Sequence, residues 1–295
     1  MITAIGRLRN RALNWLVQHV LFADVQKYWN QLRVSVGMPT TGWFHDTAAK
    51  AHLFLQLAIP GFEYPRRELI PQAHFIGAMP VNRPANWQEP AWWHELDAGR
   101  PVIHVTQGTV ANTEPNLIAP TLAALANEDV LVVVSTGNRP IEDMGLGELP
   151  ANVRIETFLS YPDLLPKTTV MVTNGGYGGT QTALAYGLPL VVAGTTEDKM
   201  EVTARVEWAG AGLNLRTDNP TPDHIRTAVR TVLSDSRYRE NAQKLKAEYA
   251  HYDALARGVA LIERVIETDQ PVWRDEVDVA LKQSFVGNPL RQIQL

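Results

Sequence analysis

The sequence predicts an α/β fold, a parallel sheet covered by helices on both faces and preceded by a partial, mainly helical domain. Three observations predict it. From residue 101 onward, short runs rich in Val and Ile alternate with helical stretches, the signature of βαβ units. The apolar strands among them, rich in Val and Ile, suit burial on both faces. Clusters of glycine follow the runs, where strand must turn into helix.

The elements are expected in this order. Leu8, Ala12, Trp15, Leu16, His19 and Val20 recur at helical spacing beside Arg7, Arg9 and Arg11, which predicts a basic amphipathic helix over Leu8–Phe22. Val25 to Val36 continues it, and Gly37-Met38-Pro39 stops it. Gly61-Phe62-Glu63-Tyr64-Pro65 breaks a second apolar segment, and His74–Gly77 reads as a short strand. Pro80, Pro84 and Pro90 then mark a linker. Strands are expected at Pro101–Thr106, Val130–Ser135, Val153–Glu156, Val170–Thr173 and Leu188–Ala193. Helices are expected at about 114–127, 161–166, Thr180–Tyr186, Met200–Trp208 and within 222–268, with a polar tail over Val272–Leu295. The implied domains are 1–82, 83–270 and 271–295.

Composition narrows the function. With 295 residues, 45% of them apolar and 20% charged, the chain can bury a sizeable core. A net charge of −4 and a pI near 6.1 argue against a nucleic-acid partner. Residues 1–82 hold 8 Lys/Arg against 4 Asp/Glu, and the remainder 19 against 27, so two pieces with different tasks are implied. The absence of cysteine excludes disulfides, thiolate metal sites and cysteine nucleophiles. No His/Asp cluster has metal-ligand spacing, so no metal is expected. No apolar run reaches the ~18 residues of a membrane span. The opening residues have the wrong order for a secretory signal, so a cytoplasmic location is expected.

In an open parallel sheet, ligands bind beyond the carboxyl ends of the strands. Here one strand runs into Gln107-Gly108-Thr109 and another into Ser135-Thr136-Gly137-Asn138, where Gly137 also suits a simple tight turn. A third runs into Asn174-Gly175-Gly176-Tyr177-Gly178-Gly179, directly before a helix. Four glycines in six positions let the backbone approach a ligand and aim N–H groups at it, and the helix adds its positive end. That is a phosphate or pyrophosphate site. It is no P-loop, since no Gly-Lys-Ser/Thr follows, and it lies too deep in the sheet for the dinucleotide fingerprint. Glu197-Asp198-Lys199 closes the next strand, offering acceptors for sugar hydroxyls and a cation for phosphate; the same residues suit a helix cap.

Phe158 through Leu215 resembles the signature region of GT-B nucleotide-sugar glycosyltransferases, in particular the macrolide and antibiotic glycosyltransferases and the wider UDP-glycosyltransferase family. The residues are Phe158-Leu-Ser-Tyr-Pro-Asp-Leu164-Leu165, Val172-Thr-Asn174-Gly-Gly-Tyr-Gly-Gly-Thr180, Gly187-Leu-Pro189 and Glu197-Asp198-Lys199, with Gln107-Gly108-Thr109 and Ala204–Gly212 in support. The resemblance spans about 83–268 and implies a Rossmann-like donor domain. It places Phe158 on the nucleobase and Asn174 where a histidine usually meets the donor phosphates. Gly176, Gly178 and Gly179 fall in the phosphate cradle, and Gly108, Thr109 and Gly175 are among the implied donor-binding residues. Thr182 stands where a glutamate usually grips the ribose, which leaves room for a deoxyribose donor. Asp198 and Lys199 stand where Asp-Gln binds the donor sugar, and Lys199 is a departure.

Asn30–Pro39 and Pro60–Pro65, ending at Gly77, resemble the closing part of the family's acceptor domain. The opening of that domain, with its catalytic histidine, has no counterpart here, so the catalytic residue is unassigned. His104 reads as a core residue, and the other seven histidines as surface or packing residues. The resemblance implies inverting hexose transfer from a UDP- or dTDP-sugar co-substrate to a hydroxyl of a small apolar acceptor, with no further cofactor. The alternative is a non-catalytic or split donor-binding subunit completed by an acceptor-domain chain. The basic helix suits core packing or a membrane or partner surface, and an exposed apolar face would favour a homodimer.

Overall fold

The structure, a computed structural model, describes residues 4–66, 69–108 and 116–274. The chain divides into two units: Met1–Phe54 with Leu69–His74 and Ile262–Leu295, and Leu55–Glu68 with Phe75–Leu261.

In the first unit, α1 (Ala4–Leu16) and α2 (Ala23–Ser35) flank a single π-helical turn at Val17–Leu21. The expected helix over Leu8–Phe22 is therefore interrupted. Phe22 leaves helical geometry at φ −116°, and its N–H donates across the wider turn to Val17 O at 3.0 Å. Gly37 ends α2 with φ +76°, a conformation glycine adopts freely. Neither helix buries a residue, and Leu8, Trp15, Leu21 and Val34 are exposed. Gln26 and Asn30 of α2 accept from Phe44 N (2.8 Å) and Thr41 N (3.0 Å), folding the next turn back on the helix. His74 is buried, with Nε2 2.9 Å from Val272 O, so Val272 belongs to the packed structure rather than to a tail. The rest of the expected tail, 275–295, lies outside the described residues.

Two short strands, β1 (Phe54–Gln56) and β2 (Ala73–Phe75), precede the main sheet. That sheet comprises β3 (Val102–Thr106), β4 (Leu131–Ser135), β5 (Val153–Glu156), β6 (Val170–Thr173), β7 (Leu190–Val192) and β8 (Gly212–Asn214). All neighbours are parallel, in the order β5-β4-β3-β6-β7-β8. Helices α3 (Ile118–Leu125), α4 (Tyr161–Leu164), α5 (Tyr177–Ala185), α6 (Lys199–Trp208), α7 (Pro222–Ser234), α8 (Ser236–Tyr249) and α9 (Ala254–Thr268) complete the chain.

Alternate strand residues feed opposite cores. Ile103, Val105, Val132, Val134 and Val172 pack with Leu122, Leu125, Ile225 and Val229 of α3 and α7. Met171, Leu190 and Val192 pack with Leu184, Val206 and Leu245 of α5, α6 and α8. Each such side chain removed from water contributes about 1.5–3 kcal/mol. Gly187 (φ +76°) and Gly210 (φ +62°) end α5 and α6. In each case the following N–H returns to the last turn, Leu188 N to Ala183 O at 3.0 Å and Ala211 N to Val206 O at 3.1 Å.

Strands β1 and β8 were not expected, β7 is shorter than Leu188–Ala193, and the starts of two helices differ most from expectation. Helix α5 begins at Tyr177, not Thr180, because Gly176 sets the cap geometry and the buried Thr180, Ala183 and Leu184 hold the glycines in the first turn. Helix α3 begins at Ile118, where Gln107 Oε1 accepts from the N–H groups of Leu117 and Ile118, each at 3.1 Å.

Candidate nucleotide site

The strand order reverses direction between β3 and β6, which puts the topological crevice at their carboxyl ends. Thr106 of β3 is in register with Thr173 of β6, so Gln107-Gly108 and Asn174-Gly175 leave the sheet side by side. Asn174 Nδ2 donates to Gln107 O, and Gly176 N donates to Asn174 Oδ1 at 3.2 Å. The asparagine side chain thus ties the two loops together and is spent on the backbone.

The glycines serve different purposes. Gly175 has φ +76°, and a Cβ there would lie 2.4 Å from Thr203 Cγ2, so it brings α6 close to the loop. Gly108 also has a positive φ, +77°, beside the Asn174 amide. A Cβ on Gly178 or Gly179 would meet nothing within 4 Å. These two sit in the first turn of α5, whose leading N–H groups have no partner within the helix. Amides, open space and the positive helix end therefore coincide where the sheet's crevice opens.

Loops from the neighbouring strands complete the rim. After β5, Phe158 is 46% exposed while Leu159 and Ser160 are buried. Asn138 N donates to Thr157 O at 2.9 Å, joining the β4 and β5 loops, with Gly137 and Asn138 both at φ +69°. Behind them His104 is buried, with Nδ1 3.0 Å from Val133 O and Nε2 3.3 Å from the Tyr161 hydroxyl. Burial lowers its pKa to about 4, so it is a neutral core residue at neutral pH. After β7, Asp198 is exposed at the start of α6 and Lys199 is buried, its Nζ donating to Glu197 Oε2. Thr182 is turned back within α5, its hydroxyl donating to Gly178 O at 3.0 Å. Thr109 lies outside the described residues.

Sequence reasoning missed three participants. Gln56 Nε2 donates to the Tyr177 hydroxyl at the head of α5. Burial pushes that phenol up to about 12; the Gln56 hydrogen bond opposes the rise and the Glu63 charge adds to it. Asp218 accepts from Thr195 N at 2.7 Å and from the Thr195 hydroxyl, fixing the β7 loop. Burial raises its carboxyl pKa, but those hydrogen bonds and the Lys199 charge outweigh it and hold the group below the usual range. Gly194 admits Asn174 O to within 2.2 Å of where its own Cβ would be. Only Gly194 had a signal in the sequence, as a glycine at a strand end. Among the described residues, no group of three or more His, Asp or Glu is placed to hold a metal, and no helix is long and apolar enough to cross a membrane.

Residues 119–257 match the family model described as erythromycin biosynthesis protein CIII-like, C-terminal domain. The chain is 47% identical over 264 residues to 4'-demethylrebeccamycin synthase of Lentzea aerocolonigenes, covering 89% of this chain and 62% of that protein. It is 36% identical over 258 residues to UDP-glycosyltransferase 2 of Phaeomoniella chlamydospora, covering 85% and 56%. Among solved structures, glycosyltransferase VinC in complex with dTDP matches at 26% identity with a TM-score of 0.64, covering 81% of this chain and 58% of that one. The chain thus spans about three fifths of the length of these relatives.

Proposed function

We propose that this chain, which carries an EryCIII-like C-terminal domain and is homologous to UDP- and macrolide glycosyltransferases of GT-B fold, binds a nucleoside diphosphate sugar at the β3–β6 crevice for transfer of the sugar to a hydroxyl of a small molecule. The observation that carries this reading is the open first turn of α5, with Gly178 and Gly179 unobstructed at the point where the strand order reverses. The diphosphate lies on the α5 amides. The base lies toward Phe158, three strand spacings away from β6, or about 14 Å at ~4.8 Å each. Asp198, exposed beside the loop, accepts from sugar hydroxyls.

In the transfer, the acceptor oxygen forms a bond to the anomeric carbon as the bond from that carbon to the diphosphate oxygen breaks. The hydroxyl proton passes to a base, and the diphosphate leaves with the electron pair. The helix end and loop amides stabilise the charge that grows on the leaving group. Thermal-shift titration tests the binding step. UDP or dTDP is expected to raise the melting temperature, with NAD and ATP giving none of this effect; a ligand at a hundred times its Kd adds about 2.7 kcal/mol. No shift with any pyrimidine diphosphate at millimolar concentration would refute the reading.

A second reading, a donor-binding subunit completed by another chain, is favoured by α1 and α2, which bury none of their residues. On this reading the 295-residue polypeptide binds UDP-glucose but at best hydrolyses it slowly. General-base catalysis alone is worth about 10² to 10⁴ in rate, and acceptor positioning can be worth more. Turnover of a flavonoid or macrolide acceptor at several per second would exclude the subunit reading.

A further inference from the structure

The site as described lacks an obvious positive charge at the diphosphate. Asn174 is neutral, and both ends of its amide are engaged, Nδ2 with Gln107 O and Oδ1 with Gly176 N. A diphosphate nevertheless carries several negative charges, and amides alone compensate them only in part.

One strand over, Lys199 has the required properties. It is 4% exposed, and its stem packs against Gly194. A Cβ on Gly194 would lie 2.2 Å from Asn174 O and 2.9 Å from Lys199 Cδ, so those two atoms are within about 5 Å of each other. The missing side chain at Gly194 is what admits the lysine there. Its ammonium lies two bonds beyond Cδ and bonds Glu197 and Thr196 of the loop after β7.

A buried ammonium needs a counter-charge. Two carboxylates face it. Asp218 is committed to the loop through Thr195 N and the Thr195 hydroxyl, and it senses Lys199 electrostatically. Glu197 bonds the ammonium directly, with Thr196 Oγ1 3.4 Å away. The Glu197 side chain is 61% exposed whereas that of Lys199 is 6% exposed. The pair is therefore lopsided: the glutamate regains full hydration on leaving at little cost, and the lysine does not. Glu197 also sits at φ +56°, the left-handed region that L residues rarely adopt, which turns it back toward the residue two positions on.

We propose that Lys199 supplies the charge that holds the donor's diphosphate, and that Glu197 occupies this charge in the empty protein as a displaceable counter-ion. The proposal rests on the nucleotide-binding reading above and, of the two roles the sequence offers Lys199, takes the phosphates over the sugar. Ligand entry then exchanges one carboxylate for the diphosphate at the same ammonium, so the glutamate competes with the donor. The two residues consequently have opposite effects on affinity, although they form one ion pair.

Calorimetric titration of UDP and of uridine into the intact chain tests this at fixed ionic strength. Lys199→Met is expected to weaken UDP binding about tenfold or more, the loss of one charge-assisted hydrogen bond. It should leave uridine, which has no phosphate, unchanged. Glu197→Gln is expected to tighten UDP binding about threefold, and the double variant to behave as Lys199→Met does. Unchanged or weakened UDP binding in Glu197→Gln overturns the proposal, as does an equal loss for uridine in Lys199→Met. Glu197 is more than half exposed, so its variant decides the matter even if Lys199→Met fails to fold. Failure of the unmodified chain to bind UDP refutes the nucleotide reading itself. Binding that neither variant alters refutes only this assignment of charge.

Discussion

The two halves of the Asn174–Gly179 run, one the β6–α5 loop and the other the first turn of α5, have nearly the same composition and different surroundings. In the first half Gly175, like Gly194 on the adjoining loop, is walled in by protein at distances no side chain could tolerate. In the second half Gly178 and Gly179 face open space. A glycine-rich motif therefore mixes two requirements, close packing of the scaffold and free approach of a ligand, and composition alone does not separate them. Substitutions separate them, because the first pair should act on folding and the second on binding.

The largest expected effect is on the scaffold. Gly194→Ala would place Cβ 2.2 Å from Asn174 O, a backbone atom that cannot move without shifting the whole loop. Gly175→Ala adds strain at φ +76° to a 2.4 Å approach to Thr203 Cγ2. Each should cost about 3 kcal/mol or more of stability, in the range of severe overpacking. Urea denaturation measures this, and a loss below about 0.5 kcal/mol for either would erase the distinction between the halves.

Next comes Gly178→Val. Its side chain enters free space, and valine is no worse than glycine within a helix, so stability should change by less than about 0.5 kcal/mol. On the proposed reading the added atoms would occupy the place of a phosphate, and UDP affinity should fall about a hundredfold, the loss of the anion's contacts at the helix end. A folded variant with unchanged affinity would show the second half to be a turn like the first.

Strands β3 to β7 are the legible part of this fold, whereas the three-residue β1 and β8 are too short for a local pattern to report. Val170–Thr173 is an apolar run and Val153–Glu156 alternates Val and Ile with Arg and Glu, and the expected bounds of both match the structure to the residue. Local pattern suffices there because the strand is defined by its own side chains. The site is legible only as separate pieces. Gln107 and Asn174 are 67 residues apart, and they meet because β3 pairs with β6, which no local pattern reports. The same holds for Gln56 with Tyr177, 121 residues apart, and for Thr195 with Asp218. The π turn at Val17–Leu21 was missed for another reason: five residues with one extra in the turn barely disturb a helical period.

The smallest effect concerns the far end of the crevice, where Phe158 tests whether the comparison extends beyond glycine. Its neighbours are fixed: Thr157 O accepts from Asn138 N, Leu159 and Ser160 are buried, and Tyr161 is packed on His104 with ring centroids 5.4 Å apart. Phe158 is the exposed aromatic residue of this run, as Gly178 is the exposed glycine at the head of α5. A lone exposed phenylalanine contributes little to the core, so Phe158→Ala should leave stability within about 0.5 kcal/mol. Stacking of a base on an aromatic ring is worth about 1–3 kcal/mol, so UDP affinity should drop about tenfold. Pyrophosphate affinity should stay the same, because the α5 amides are untouched. Phe158→Tyr, which keeps the ring, should restore UDP binding. Equal losses for UDP and pyrophosphate would mean that the substitution disturbs the rim as a whole. No loss for either would place the base elsewhere and confine the recognised part of the ligand to its phosphates.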